Sequence, residues 1–282
     1  MPFKFIEEKI FKVLMLIATL VVLSSLLLII YSILMRGLPS LTWEMVSETP
    51  QGGYYFGKGG GVLNAITGSL VLSIFATVFA MFISIPVVLY INIYAKKNSF
   101  FVNFTRLMLD VLFGLPSIVY GAFGFTLMLF FGVKTSLFAG IVTVGFMLIP
   151  IMIRSMDEVV AAVPQGLLEA SYSLGATRFE TCVKVVVKQA LPGILTAFLI
   201  SMGRAIGDAA SVLFTTGFTD FLPTSLFHQA ATLPLAIFFQ LGSPVPEVQD
   251  RAYASALILT IIILLISIIS RWLTKRYTKH RV

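Results

Sequence analysis

This sequence predicts an all-α membrane protein: six transmembrane helices, with a polar helical segment between the fourth and the fifth. Composition is the first reason. Of 282 residues, 58% are hydrophobic and 12% are charged, and mean hydropathy is +0.97. A soluble domain has about twice that share of charge. Segmentation is the second reason. Uncharged apolar runs occupy 13–35, 62–95, 111–133, 135–153, 189–203 (continuing past two charges to 219) and 252–270. A helix needs about 20 such residues to cross the hydrocarbon core. Helices are therefore expected over about 12–35, 63–95, 107–132, 136–154, 178–216 and 252–274, as one transmembrane domain over 1–282. The alternation of a membrane β-barrel is absent from the sequence.

Charge placement sets the expected orientation. With a cytoplasmic N-terminus, the inner segments hold 15 of the 20 Lys and Arg residues: Lys4, Lys9, Lys12, Lys96, Lys97, Arg106, Arg154, Arg178, Lys184, Lys188, Arg271, Lys275, Arg276, Lys279 and Arg281. The outer segments hold Arg36, Lys58, Lys134 and Arg251, and Arg204 falls inside a helix. That is the positive-inside bias, with both termini inside. The sequence pI near 9.5 is thus a matter of topology, and the expected partner is a lipid bilayer, not nucleic acid. The apolar run after the first three lysines is too long for a cleavable signal core, so it reads as a retained first helix. A single cysteine, Cys182, rules out an intrachain disulfide, and His228 and His280 alone make no metal cluster. No metal or cofactor is expected in this chain.

Along the chain, the outer segment 36–61 contains a near match to a nucleotide-binding loop, Gly52 followed by Gly57-Lys58. That loop needs Ser or Thr after the Lys. Gly59 stands there instead, so the match is rejected. Pro86 and Gly114-Leu115-Pro116-Ser117 mark kinks in helices two and three. The second break has two readings, a simple bend or a place in a substrate path, with Ser117 as the candidate residue. After helix four, Ser155 and Glu158 stand at capping-box spacing, which predicts a short helix ended by Pro164-Gln165-Gly166. A second short helix is expected from about Gly166 to Leu174, closed by Gly175 in a left-handed conformation. Thr177 and Glu180 form a further capping box that opens helix five. Helix five carries Arg204 and Asp208, four apart on one expected face, and Gly203 and Gly207 at small-xxx-small spacing. Charges within a span are costly and point to function or to a self-neutralising pair. The outer segment 217–251 is long, and its apolar stretch 233–239 is expected to lie against the bundle or dip into it.

The segment Glu169-Ala170-Ser171-Tyr172-Ser173-Leu174-Gly175 resembles the cytoplasmic coupling loop of ABC importer permeases, placed here at about 155–176. Between Gly59 and Trp272 the chain is similar to one branch, the A-type permease subunits of Pst phosphate-specific ABC importers. The resemblance runs through 60–66, 116–121, 190–195, 203–208 and 233–244. It departs at Asp208, where the family usually has Glu, and at Val187-Lys188, where the importer pattern has Leu-Pro. Arg204, Asp208 and Ser117 remain the candidates for the substrate path on the grounds of the span charges and the helix break, beside the structural readings of each. The resemblance implies that Glu169, Ala170, Ser171 and Gly175 couple to an ATPase. It implies no chemistry in this chain, with ATP and Mg²⁺ on a partner ATPase. The implied partners are a second, C-type permease or a second copy of this chain, two ATPase subunits and an extracytoplasmic phosphate-binding protein. Other oxyanions (molybdate, tungstate, sulfate) and an ion-coupled secondary transporter are the alternatives, and a membrane-embedded enzyme is a third class.

Overall fold

The computed structural model describes residues 2–51, 59–96 and 99–278; the stretch from Gly52 to Lys58 that resembles a nucleotide loop lies outside them. Among the described residues the helices are α1 (Pro2–Ser40), α2 (Trp43–Ser47), α3 (Leu63–Leu89), α4 (Phe100–Phe113), α5 (Ser117–Phe131), α6 (Leu137–Ala161), α7 (Gln165–Ser173), α8 (Arg178–Glu180), α9 (Val187–Gly207), α10 (Leu233–Leu241) and α11 (Pro246–Thr278). A π turn over Tyr90–Tyr94 extends α3, and another over Thr181–Val186 leads into α9. Five helical stretches are long and apolar enough to cross a membrane, over 7–40, 63–94, 137–161, 178–207 and 246–276. The pair α4 and α5 makes a further, broken one, bent by 99°.

The core is built where α3, α6 and α9 meet. Leu72, Ala76 and Ala80 of α3 are buried with Val144, Leu148 and Met152 of α6, and with Ala190, Ile194 and Ala197 of α9. Lipid is as apolar as leucine, so small residues that admit close contact matter more here than hydrophobicity does. Three hydroxyls inside α3, those of Thr67, Ser73 and Thr77, donate to carbonyls of their own helix, Thr77 Oγ1 to Ser73 at 2.6 Å, whereas the buried Ser84 Oγ has no partner among the described residues. At the end away from α7, Asn64 Nδ2 donates to the Thr219 carbonyl (2.7 Å), and the Leu233 amide donates to Ser69 Oγ (2.7 Å). The second of these bonds seats α10, whose Leu233, Pro234, Leu235 and Ala236 are buried as the apolar stretch predicts. By contrast, α1 stands outside the core and meets α11. The Arg36 guanidinium lies 2.8 Å from Asp250 and 4.3 Å over the Tyr253 ring.

Several boundaries differ from the sequence expectation. The third span is not one helix over 107–132, because Pro116 lacks an amide donor and drives Leu115 out of the helical region. Tyr120 Oη donates to the Leu112 carbonyl across the bend at 2.8 Å, occupying an acceptor near the break. The expected helix start at Ser155 does not occur. Ser155 Oγ donates back to the Ile151 carbonyl (3.0 Å), and α6 runs on to Ala161. The fifth span ends at Gly207 and not near 216, since Asp208 is extended at φ −85°, ψ 120°. The first and last helices run beyond 12–35 and 252–274.

Candidate functional site

Two regions carry the candidate residues: an exposed helical knob at one end of the bundle and an open helix face halfway along it. The knob is α7 and its exit. Pro164 precedes α7, and none of the helix's residues is buried. Its C-terminus closes as the sequence predicts: Gly175 has φ +81°. The Gly175 amide donates to the Tyr172 carbonyl (2.9 Å) and the Ala176 amide to the Ser171 carbonyl (3.2 Å), the paired bonds of a Schellman ending. The next element starts on the predicted capping box. The Glu180 amide donates to Thr177 Oγ1 at 3.2 Å, and the Thr177 amide donates to Glu180 Oε2 at 3.1 Å. Ser171 Oγ lies 2.9 Å from Thr181 Oγ1, which ties α7 to the chain that enters α9.

Glu169 and Ala170 are exposed on this knob, Ser171 is half-buried, and Leu168 turns inward onto the core. Beside them are apolar residues that the sequence reading did not single out. Leu174 is 88% exposed and Phe179 is 68% exposed, with Leu167 and Tyr172 also open. Their signal was available: they are apolar residues in a charged segment, outside the uncharged apolar runs. Several large apolar side chains exposed on one short segment suit it to an interaction surface.

The second region lies on α9. Gly193 rests against Val159, and Gly140 rests against Thr216. Arg204 falls between those two levels, about the middle of α6. It is exposed, as is Gly207. A Cβ built on Gly203 would meet nothing within 4 Å, whereas one on Gly207 would meet the Ile263 side chain of α11 at 3.6 Å, so the expected close contact at Gly203 is not made within this chain. The face is open.

Arg204 and Asp208 do not form the expected ion pair. Asp208 leaves the helix, so the spacing of four no longer places both on one face. Its Oδ2 instead accepts from the amide of Ser211 (2.9 Å) and from the Ser211 hydroxyl. Ser117 is the first residue of α5, just past the bend, and one turn later a Cβ built on Gly121 would lie 2.8 Å from the Ala210 carbonyl oxygen. The start of α5 therefore abuts the turn that follows Asp208. Arg204 is also close enough to act electrostatically on the Tyr120 hydroxyl. An exposed guanidinium at mid-depth, with its fork of donors, is suited to an anion with several acceptor oxygens. Among the described residues no three His, Cys, Asp or Glu side chains come together as a metal site would require.

Comparison with known proteins bears on the chain as a whole. Residues 84–281 match the family described as binding-protein-dependent transport system inner membrane component. The phosphate transport system permease protein PstA of Yersinia pestis is 33% identical over 244 residues, 86% of this chain and 81% of that protein. The permease protein PstA 2 of Mycobacterium bovis is 31% identical over 264 residues, 91% and 85% respectively. Among solved structures, a chain of the inward-facing MetNI methionine ABC transporter aligns with TM-score 0.61 at 18% identity, covering 77% of this chain and 95% of that one. A chain of a bacterial alginate ABC transporter, solved with an alginate-bound periplasmic protein, aligns with TM-score 0.62 at 14% identity, covering 90% and 89%. At such identities the structures speak to fold alone. A family match across most of the sequence, and relatives above 30% identity over nearly its whole length, place this chain in the binding-protein-dependent inner membrane components, the permeases of ABC importers.

Proposed function

We propose that this chain is the transmembrane permease subunit of an ATP-driven phosphate importer. It would take inorganic phosphate from an extracytoplasmic binding protein and pass it across the inner membrane by alternating access. The observation that carries this reading is the likeness to PstA proteins over 86% to 91% of the chain. The open face bearing Arg204 is consistent with an anion path completed by a second permease, C-type or another copy of this chain. The reaction is transport; ATP and Mg²⁺ belong to two partner ATPase subunits that dock at α7. ATP biases the inward-open and outward-open states only if α7 makes different contacts with the ATPase in each.

Copurification tests the docking. Wild-type protein expressed with its partners is expected to bring down the ATPase. Leu174→Ser with Phe179→Ser removes apolar area worth about 1.5–3 kcal/mol per fully buried side chain, and should cut recovery of the ATPase by at least about tenfold. Equal recovery would refute α7 as the docking element. Competition of phosphate uptake by molybdate, tungstate and sulfate separates the oxyanion alternatives. Uptake driven by an ion gradient without ATP would favour the secondary transporter instead.

Orientation is tested separately. The charge bias places α7 and both termini in the cytoplasm, with 36–61 and 217–251 outside. A lone cysteine at position 58, with Cys182 replaced, should react with an impermeant thiol reagent added from outside. Labelling from the cytoplasm alone would invert the topology.

A further inference from the structure

Asp157 is a buried carboxylate for which the transport path has no use. It sits one turn before the end of α6 and is 6% exposed. Its oxygens accept three hydrogen bonds from two other elements. Arg106 Nε donates to Oδ2 at 3.0 Å, Arg106 Nη2 donates to Oδ1 at 3.1 Å, and Asn92 Nδ2 donates to Oδ1 at 2.6 Å. Arg106 belongs to α4, and Asn92 belongs to the π turn that closes α3. Three elements therefore meet at one carboxylate. A forked guanidinium–carboxylate contact fixes orientation as well as distance, and π turns recur where a helix is functionally adapted.

The cluster also touches the coupling region. Asn92 and Arg106 line a cavity of about 240 Å³ whose wall includes Gln165 and Leu168 of α7. On the other side, a series of contacts leads toward Arg204. One turn after Arg106, Asp110 lies 3.5 Å from Arg154 of α6. The Tyr120 to Leu112 bond holds the bend, and Gly121 rests on the backbone of Ala210 and Ser211.

We propose that Asp157 and Arg106 are a positioning pair that makes α4 and α5 move as one body with the α7 end of α6. Displacement of α7 then reaches Ser117 and the turn after Arg204. This inference rests on the reading of α7 as the ATPase-docking element. A pair that merely holds the fold can be exchanged for apolar residues with little loss, whereas removing one partner strands a buried charge. Transmission is a different demand, and contiguity alone does not establish it.

The test uses the full transporter in proteoliposomes with its partner subunits and phosphate-loaded binding protein. Asp157→Asn and the double variant Arg106→Met with Asp157→Leu are compared with wild type. Basal ATP hydrolysis is expected to stay near wild type, while phosphate moved per ATP falls by about tenfold in both. An assembled double variant with wild-type phosphate per ATP would reduce the pair to a fold contact and overturn the proposal. Should neither variant assemble, Asp110→Cys with Arg154→Cys, in a protein lacking Cys182, is assayed before and after joining by a bifunctional thiol reagent. Uptake should survive the link, because α4 and α6 travel together; its loss would show that they slide past one another and would overturn the proposal. Undiminished ATPase recovery by the Leu174→Ser, Phe179→Ser variant would instead sink the reading of α7 itself, so the two failures are distinguishable.

Discussion

Gly175→Val is expected to lower phosphate uptake by at least about tenfold while the protein still inserts and accumulates. At φ +81° an L-residue is disfavoured by roughly 1–2 kcal/mol, and a β-branched one fits worse. A Cβ at this position would meet nothing within 4 Å, so the strain is confined to the backbone and spares the bundle. It is relieved by unwinding the end of α7, which breaks the bonds from Gly175 to Tyr172 and from Ala176 to Ser171. Leu174 then leaves its place on the exposed surface. Gly175→Asn should be far milder, since Asn tolerates the left-handed region. Uptake and ATPase recovery, normalised to the inserted permease, are the measurements. Full uptake by the Val variant would make the segment a linker.

Arg204→Met should abolish most uptake without loss of assembled protein. A hydrogen bond to a charged group contributes about 1.5–3 kcal/mol, which corresponds to roughly a tenfold to hundredfold fall in uptake. Arg204 is exposed within this chain, so its removal disturbs little of the fold. Asp208→Leu acts differently. It strands the amide and hydroxyl of Ser211, a fully buried residue, at a cost of about 1–3 kcal/mol per unsatisfied group, and should lower the amount of assembled permease. Because the two side chains do not pair, adding Asp208→Leu to Arg204→Met should not rescue either defect. Recovery of uptake in the double variant would restore the self-neutralising pair.

What was legible in the sequence was what local chemistry decides. Long apolar runs gave the spans, Gly114-Leu115-Pro116 gave the bend, Gly175 gave the end of α7, and Thr177 with Glu180 gave the next start. What stayed hidden depends on distant partners. Ser155 and Glu158 have capping-box spacing, yet a serine hydroxyl inside a continuing helix can turn to the carbonyl four residues back, and nothing nearby distinguishes the two outcomes. Asp157 draws its partners from Asn92 and Arg106, 65 and 51 positions earlier, beyond any local pattern. The pairing expected of Arg204 and Asp208 assumed a helix running on to 216. It failed because Asp208 found donors three residues ahead, in a turn that α5 braces from outside. Of the candidate site, the local shape of 165–180 was legible, because its glycine cap and capping box are set by neighbours in sequence. The geometry around Arg204 and Asp208 was not, because it depends on where the helix ends.

The bend between α4 and α5 has a consequence for the lipid itself. With 15 residues, α5 is about 22 Å long at 1.5 Å per residue, shorter than the roughly 30 Å thickness of the hydrocarbon core. With α5 along the membrane normal, a helix turned from it by 99° adds almost nothing to its reach. So short a helix is matched by local thinning of the lipid, by snorkelling of flanking side chains or by association with a partner. Where the bilayer thins, the membrane voltage drops over a shorter path, and the anion path proposed beside Arg204 would run through a steeper electric field.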